Sequence, residues 1–553
     1  MRMKKLKSLS NVAFGTIITA LIVVGCNTSS NPSAEPDNAS NTGTEQTNNP
    51  PAAEAAPEEV PYPKEITYWV SLNPNVAATM NNFGEIAAYK KVAETTGTKV
   101  TFQHPPVGQE KDQFNLMIAS GQLPDVIEYG WAAAPKGADS LIKEGRIIRL
   151  NELIAEHAPN LTKVLDENPE FRKMVTTDEG NIYVMPFLLG DPSLSVVHGP
   201  IIREDWLKKV GLEQPTTIAE WETMLTAFRD GDPNGNGQKD EIPFLLNLND
   251  IDLDHLFVGA WGITQDFYQE DGVVKYGPIQ PEFKEYLATM ARWFKDGLID
   301  PDYATMMTDA KLKDAKVTGN QLGSFTGYPG SSIGRYIDLM KETPGFALTG
   351  PVYPALEEGG TAIGHYTSPF SGIGAAISAT AENPEQIVKW LDYKYGEEGH
   401  LLFNFGVEGE SYTMVNGYPT YTDTILKNPD GLPVTQAMAK YFTANWSGPF
   451  VQDKRYLEQY YLLDAQKQAN KNWSQADHSK LLPPLTLTAD ESSKTASIMN
   501  DVKTYRDEMI NRFIMGAEPI ENFDKFVSTI ESMGIQEAIA ARQAALERYN
   551  ARK

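Results

Sequence analysis

Beginning at Glu65, short runs of β-branched and aromatic residues alternate with helical stretches, and few architectures accept such a chain. Residues 66–70 read as a strand that runs into Asn73-Pro74. A helical stretch over 83–95 is stopped by Gly97, in a position suited to a C-cap. A second strand over 99–103, an amphipathic segment over 111–119 closing at Gly121, and a third strand over 125–129 repeat the pattern. Strands separated by helices of about 10–15 residues argue for βαβ units and a parallel sheet. Ligands of such sheets sit at the carboxyl ends of the strands, which makes Asn73, Tyr129 and Trp131 candidate mouth positions. Core packing is the competing reading for each aromatic.

The alternation continues. Thr217-Ile218-Ala219-Glu220 is a capping box, opening a helix whose apolar face is Ile218, Trp221, Leu225 and Phe228. Residues 321–326 predict a strand ending in Gly327-Tyr328-Pro329-Gly330, residues 372–379 a strand before a helix over 385–395, and residues 523–549 a helical tail. The class is therefore α/β. At 553 residues the chain is long enough for several domain equivalents. Its 73 acidic against 48 basic residues give a net charge of −25, the wrong sign for replacing counterions on nucleic acid. One cysteine excludes a disulfide framework and a cysteine-based zinc site. The seven histidines (104, 157, 198, 255, 365, 400 and 478) form no H-x-x-x-H pair.

The first sixty residues carry an address. Arg2, Lys4, Lys5 and Lys7 precede an apolar run over 12–24. Thirteen residues at about 1.5 Å each are too few for a hydrocarbon core of about 30 Å, so the run reads as a signal-peptide h-region. It ends Val23-Val24-Gly25-Cys26, which resembles the bacterial lipobox and implies cleavage after residue 25 and diacylation of Cys26 with chains of the palmitate kind. Residues 27–59 hold six acids, no base and no aromatic, the composition of a disordered tether. An acidic surface is repelled by anionic lipid, so the acyl anchor alone would hold the protein at the outer face of the cell membrane.

The sharpest chemistry lies in Asp230-Gly231-Asp232-Pro233-Asn234-Gly235-Asn236-Gly237-Gln238-Lys239-Asp240-Glu241. Calcium wants six to eight hard oxygens on a tight loop, supplied every second residue with glycine allowing the bend. Starting at Asp230 the loop places Gly235 at the turn and Glu241 last. Starting at Asp232 it enlists Asn234, Asn236, the Gln238 carbonyl, Asp240 and Glu241, and this register uses every oxygen-bearing residue from 232 to 241. Neither leaves an open position, so the ion would be structural. Gly330-Ser331-Ser332-Ile333-Gly334 matches G-x-S-x-G between a strand and a helix, with His365 as a distant base. The acids between them sit poorly for a triad, and either serine serves equally as a helix cap.

Taken together, Leu123-Pro124-Asp125-Val126, Arg203-Glu204-Asp205-Trp206 with Pro215-Thr216-Thr217, the loop from Asp232 to Pro243, Gly297-Leu298-Ile299-Asp300-Pro301 and Phe403-Asn404-Phe405-Gly406 through Thr413 resemble one family. It is that of the lipid-anchored extracellular solute-binding proteins of ABC importers, the large oligosaccharide type of Gram-positive bacteria. The resemblance implies a two-lobe, periplasmic-binding-protein-like fold of type II with the ligand in the cleft. It carries the calcium loop over at Asp232, Asn234, Asn236, Gln238, Asp240 and Glu241, with Gln238 where lysine is common. It implies a chain divided as signal peptide 1–25, acylated cysteine and tether 26–62, lobe 1 from 63–186 plus 352–408, and lobe 2 from 187–351 plus 409–553. Crossings would fall near 183–188, 350–354 and 406–410, and the lobes would close by hinge motion.

A pyranose stacks its apolar face on an aromatic ring and offers hydroxyls to Arg, Asn, Asp and Glu. On that ground Asn73, Tyr129, Trp131, Arg203, Trp261, Tyr328, Tyr366, Glu408 and Trp446 are the candidate ligand-binding residues. No catalytic residue is expected. The partners implied are an oligosaccharide, membrane permease subunits with a separate ATPase, and the membrane through the anchor only; the protein would be a monomer that binds no nucleic acid. Two alternatives stay open: a secreted hydrolase of glycans or esters, and a peptide-binding or sensor co-receptor of the same fold.

Overall fold

The computed structural model describes residues 60–134, 137–306 and 310–552. The segment expected to be a signal peptide, Cys26 and most of the expected tether lie outside the described residues.

Two sheets organise the chain. Strands β1 (Glu65–Trp69), β2 (Lys99–Gln103), β3 (Val126–Gly130) and β4 (Met185–Pro186) come first along the sequence. Then follow β5 (Gly199–Arg203), β6 (Ile242–Phe244), β7 (Leu322–Gly327) and β8 (Leu348–Thr349), and last β9 (Ile373–Ile377). The first sheet has the order β2-β1-β3-β9-β4 and the second β8-β5-β7-β6. β1 pairs in parallel with both β2 and β3, as the alternation requires, while β9 returns antiparallel to β3. That returning strand comes from more than 240 residues further along the chain, which is how one sheet is completed only after the other is built.

Local sequence signals act where physics places them. The helix Ala87–Thr96 ends on Gly97 and the helix Glu110–Ser120 on Gly121, both left-handed at φ 71° and 72°, a conformation glycine adopts without steric cost. Residues 83–85 form a separate 3-10 turn rather than the first turn of the expected helix, because Asn82 caps them by accepting the Gly84 N–H. The capping box at Thr217 and Glu220 is present in both directions, and Trp221, Leu225 and Phe228 are fully buried.

Each sheet has its own apolar core. One gathers Tyr68, Phe102, Trp390, Phe403 and Phe450; the other gathers Trp206, Trp221, Phe257, Trp293 and Phe513. Membership changes three times along the chain: between Leu194 and Val196, between Ala362 and Phe370, and between Tyr461 and Ala469. Each of these changes of core lies later in the chain than the crossings expected near 183–188, 350–354 and 406–410. The largest correction concerns residues 409–461, assigned above to the second lobe. Tyr412, Tyr421, Met438 and Phe442 pack with the first core, Tyr421 stacking on Phe442 at 5.5 Å. Val451–Gln452 pairs in parallel with Leu188–Leu189, which also holds the first crossing back to Leu194.

The crossings are pinned by polar contacts. Tyr353 donates its hydroxyl to the His198 carbonyl at 2.8 Å and accepts the His365 N–H at 3.2 Å. His198 Nδ1 lies 2.9 Å from Asp254, and residue 477 runs beside 363. Histidines scattered in sequence thus meet where the chain passes between the halves. The last helix, Ile535–Ala551, begins in the second core and reaches the first half at its end. There Arg548 and Arg552 both pair with Asp178, Arg548 also pairs with Glu491, and Lys173 lies over the Tyr549 ring.

Candidate functional site

A cavity of about 480 Å³ lies between the two halves. Trp131, Tyr183 and Phe370 come from the first core; Thr176 and Thr177 from a turn of the same half; Ser371 and Gly372 from the approach to β9; Leu482 to Leu487, Ser492 and Arg542 from the C-terminal part. The rings are fixed. The Trp131 indole N–H donates to the Gly374 carbonyl at 3.0 Å, and the ring meets Tyr183 edge-on at 6.4 Å. Thr177 donates its hydroxyl to Asp139 at 2.7 Å. Burial raises the Tyr183 phenol well above its ordinary range and lowers the Arg542 guanidinium from its own, so the walls combine apolar rings, hydroxyls and one partly desolvated cation.

The nine sequence candidates occupy different places. Trp131 lines this cavity. Tyr328, Tyr366 and Trp446 are exposed aromatics near the junction: Tyr328 meets His198 edge-on at 4.6 Å, Tyr366 lies 4.8 Å from His478, and Ser447, next to Trp446, donates to Glu128 on β3. Tyr129 is stacked on Phe114 at 3.8 Å, and Trp261 is half-buried against Tyr286. Asn73 is buried; its side-chain oxygen caps Pro74–Ala77 by accepting the Asn75 N–H, while its amide nitrogen has no partner. Arg203 is fully buried, held bidentate by Asp205 at 2.7 and 2.8 Å and sandwiched by Trp206 and Phe346, so it has no free face for a ligand. Glu408 is exposed at a turn bridged to Tyr412. Missed altogether were Tyr183, Arg542 and the proline-containing segment 482–487. None carries a motif, and they converge only through the late crossings.

Serines 331 and 332 lie in a wide turn over Pro329–Gly334. Ser332 Oγ accepts the Tyr328 N–H at 3.3 Å. His365 Nδ1 accepts the Val197 N–H, and burial lowers this imidazole to about 3. Among the described residues no hydrogen bond joins either serine to His365.

The acidic loop closes on itself through its oxygens. Asp232 accepts the N–H groups of Asn236 and Gly237, Asn234 accepts that of Asn236, and Asn236 accepts that of Gln238. Asp240 accepts the side-chain amides of Asn234, Asn236 and Gln321, which hold its carboxyl below the usual range. Both carboxylate oxygens of Glu241 are buried without a partner, and burial pushes that carboxyl upward. Asp230 is taken by Arg229 through two bonds, which favours the register that begins at Asp232. Among the described residues, no three of His, Cys, Asp and Glu stand together as a ready-made metal-holding group. The orphaned Glu241 oxygens nevertheless fit a cation that would also draw on amide and carbonyl oxygens.

A cavity walled by apolar rings and a few polar groups, between two α/β halves joined by three crossings, is the arrangement of a two-lobe binding protein. The chain belongs to the bacterial extracellular solute-binding proteins, whose family pattern matches residues 81–400. Its relatives include the fructooligosaccharide ABC transporter substrate-binding protein FusA of Streptococcus pneumoniae serotype 4, 26% identical over 473 residues that cover 79% of this chain and 82% of FusA. Lipoprotein LipO of Bacillus subtilis (strain 168) is 27% identical over 347 residues, covering 59% of this chain and 64% of LipO. The crystal structure of the alginate-binding protein AlgQ2 without calcium ion superposes with a TM-score of 0.68 at 25% identity, covering 87% of this chain and 98% of AlgQ2. Among the described residues no helix is long and apolar enough to cross a membrane.

Proposed function

We propose that this chain captures an oligosaccharide outside the cell and delivers it to the permease subunits of an ABC importer, whose separate ATPase supplies the energy. The observation that carries this reading is the cavity itself. Its 480 Å³ lies within the size range of small-ligand pockets, and its walls set the apolar surface of Trp131, Tyr183 and Phe370 beside the hydroxyl-bearing Ser371 and Ser492. The relatives named for fructooligosaccharide and alginate binding support the same ligand class. Tyr328, Tyr366 and Trp446, exposed outside the cavity, are further aromatics on which sugar units would stack. The halves would grip by rotation about the three crossings. Cys26, once acylated, would leash the protein to the membrane.

The loop would bind calcium through the side-chain oxygens of Asp232, Asn234, Asn236, Asp240 and Glu241 and the backbone carbonyl of Gln238. The ion would supply charge that stabilises these oxygens and nothing to ligand chemistry. Calorimetry against a glycan panel, followed by analysis of the recovered ligand, tests the main reading. Saturable binding with the glycan recovered intact is expected; no binding, or shortened products, would overturn it.

A further inference from the structure

Resting on the reading as a carbohydrate binder, we infer that the cavity takes an acidic sugar, a hexuronate whose carboxylate is met by Arg542. The helix Ile535–Ala551 and the residue after it supply three arginines on this side of the molecule, and two of them are spent. Arg548 pairs with Asp178 and Glu491, and Arg552 pairs with Asp178. Arg542 lines the cavity and has no carboxylate within salt-bridge distance among the described residues. Its guanidinium lies 3.7 Å from the centre of the Phe267 ring and makes one long bond, 3.4 Å, to the Ala538 carbonyl. Asp266 acts on it only at a distance.

A half-buried guanidinium with no carboxylate in contact is unusual, because removing a charge from water is costly unless it is closely paired. In a chain with 73 acidic residues a partner could have been supplied many times over. Stacking on Phe267 holds the planar fork in one orientation and leaves its remaining donors for an incoming anion. A carboxylate matches that fork bidentately. Trp131, Tyr183 and Phe370 give the cavity apolar wall, and Ser371 and Ser492 stand beside it with hydroxyls, so the anion that fits is one carried on a sugar ring.

The test is calorimetry on the full chain with short oligogalacturonides, their methyl esters, a sulfated oligosaccharide and a neutral fructan. The acid form should bind about tenfold tighter than its ester, the size expected of one charge-assisted hydrogen-bond pair. In Arg542→Gln the ratio of the two affinities should fall to about one, and Arg542→Lys should retain part of it. Melting curves of both variants report folding, and the wild-type ratio decides the ligand class even if Arg542→Gln does not fold. Equal affinity for acid and ester, or a preference that survives Arg542→Gln, would overturn the assignment. So would an equal or tighter, Arg542-dependent affinity for the sulfated glycan. Binding of the neutral fructan alone would refute the uronate and leave the carbohydrate reading intact, whereas no glycan binding of any kind would refute both.

Discussion

The two halves place a cation inside an apolar core in opposite ways. In the first, Lys394 is fully buried, its ammonium without a hydrogen-bond partner and ringed by Tyr68, Tyr89, Trp390 and Phe403 at 4.8–5.5 Å from the ring centres. The nearest opposite charge, Glu128, is occupied by the hydroxyls of Tyr68 and Ser447. In the second, Arg203 is clamped by Asp205, and Arg506 is bonded to Asp252, Asp507 and the Gln265 carbonyl. A lysine can shed its proton when its surroundings disfavour charge; an arginine cannot, and must be paired. Burial lowers Lys394 from its ordinary 10.5 to about 7, against the pull of Glu128. At these sites the first half holds a cation that can lose its proton, where the second holds arginines fixed by ion pairs.

The comparison would break most visibly at Arg203. Arg203→Ala strands Asp205 beside Trp206, and should cost about 3–5 kcal/mol in denaturant unfolding. A loss below 1 kcal/mol would show that the clamp is dispensable. Next in size is the carboxylate loop, also in the second half. At a hundredfold excess over its dissociation constant calcium should stabilise the wild type by about 2.7 kcal/mol, and Asp232→Ala combined with Asp240→Ala should abolish the shift in melting temperature. An unchanged wild-type melting curve with chelator would remove the ion from the loop. Among the first half's aromatics, Trp131→Ala should weaken oligosaccharide binding by more than about 1 kcal/mol in calorimetry, the scale of one stacking contact.

The smallest expected effect is the most diagnostic. Above pH 10.5, where the lysine is neutral in the folded and the unfolded chain alike, Lys394→Met should change stability by less than about 1 kcal/mol, because an apolar side chain suits the aromatic cage. Its signature is in the pH dependence. Between pH 10.5 and 7 the unfolded wild-type chain takes up a proton that folded Lys394 refuses, so stability falls as pH falls through that window and the slope flattens below 7. Subtracting the Lys394→Met curve from that of the wild type should isolate this slope. Parallel curves would mean the ammonium stays charged within its cage.

What could be read from the sequence was local. The strands over 66–70, 99–103 and 125–129 rest on neighbouring residues and glycine stops, and the structure has them within a residue or two. Thr217 and Glu220 are three positions apart, so their capping box needs no distant partner. The two-lobe α/β class followed from the alternation and the resemblance together. The crossings were misplaced because a change of core depends on partners far along the chain: Val451–Gln452 pairs beside Leu188, and Tyr421 stacks on Phe442. Arg203 illustrates the other limit. Sequence makes it a ready hydrogen-bond donor, and only packing reveals that Asp205, two residues on, has already claimed it. Arg542 is the converse, an unremarkable helix residue until the fold withholds a counter-ion.

Asp178 sits in a turn of the first half beside Thr176 and Thr177 on the rim of the cavity, and the guanidinium groups that hold it arrive on the final helix, rooted in the second core. Separating the halves at this rim must either break those bonds or drag the final helix along. Pairs so far withdrawn from water are screened little by salt, so this clasp between the final helix and the first half should persist across a wide range of ionic strength.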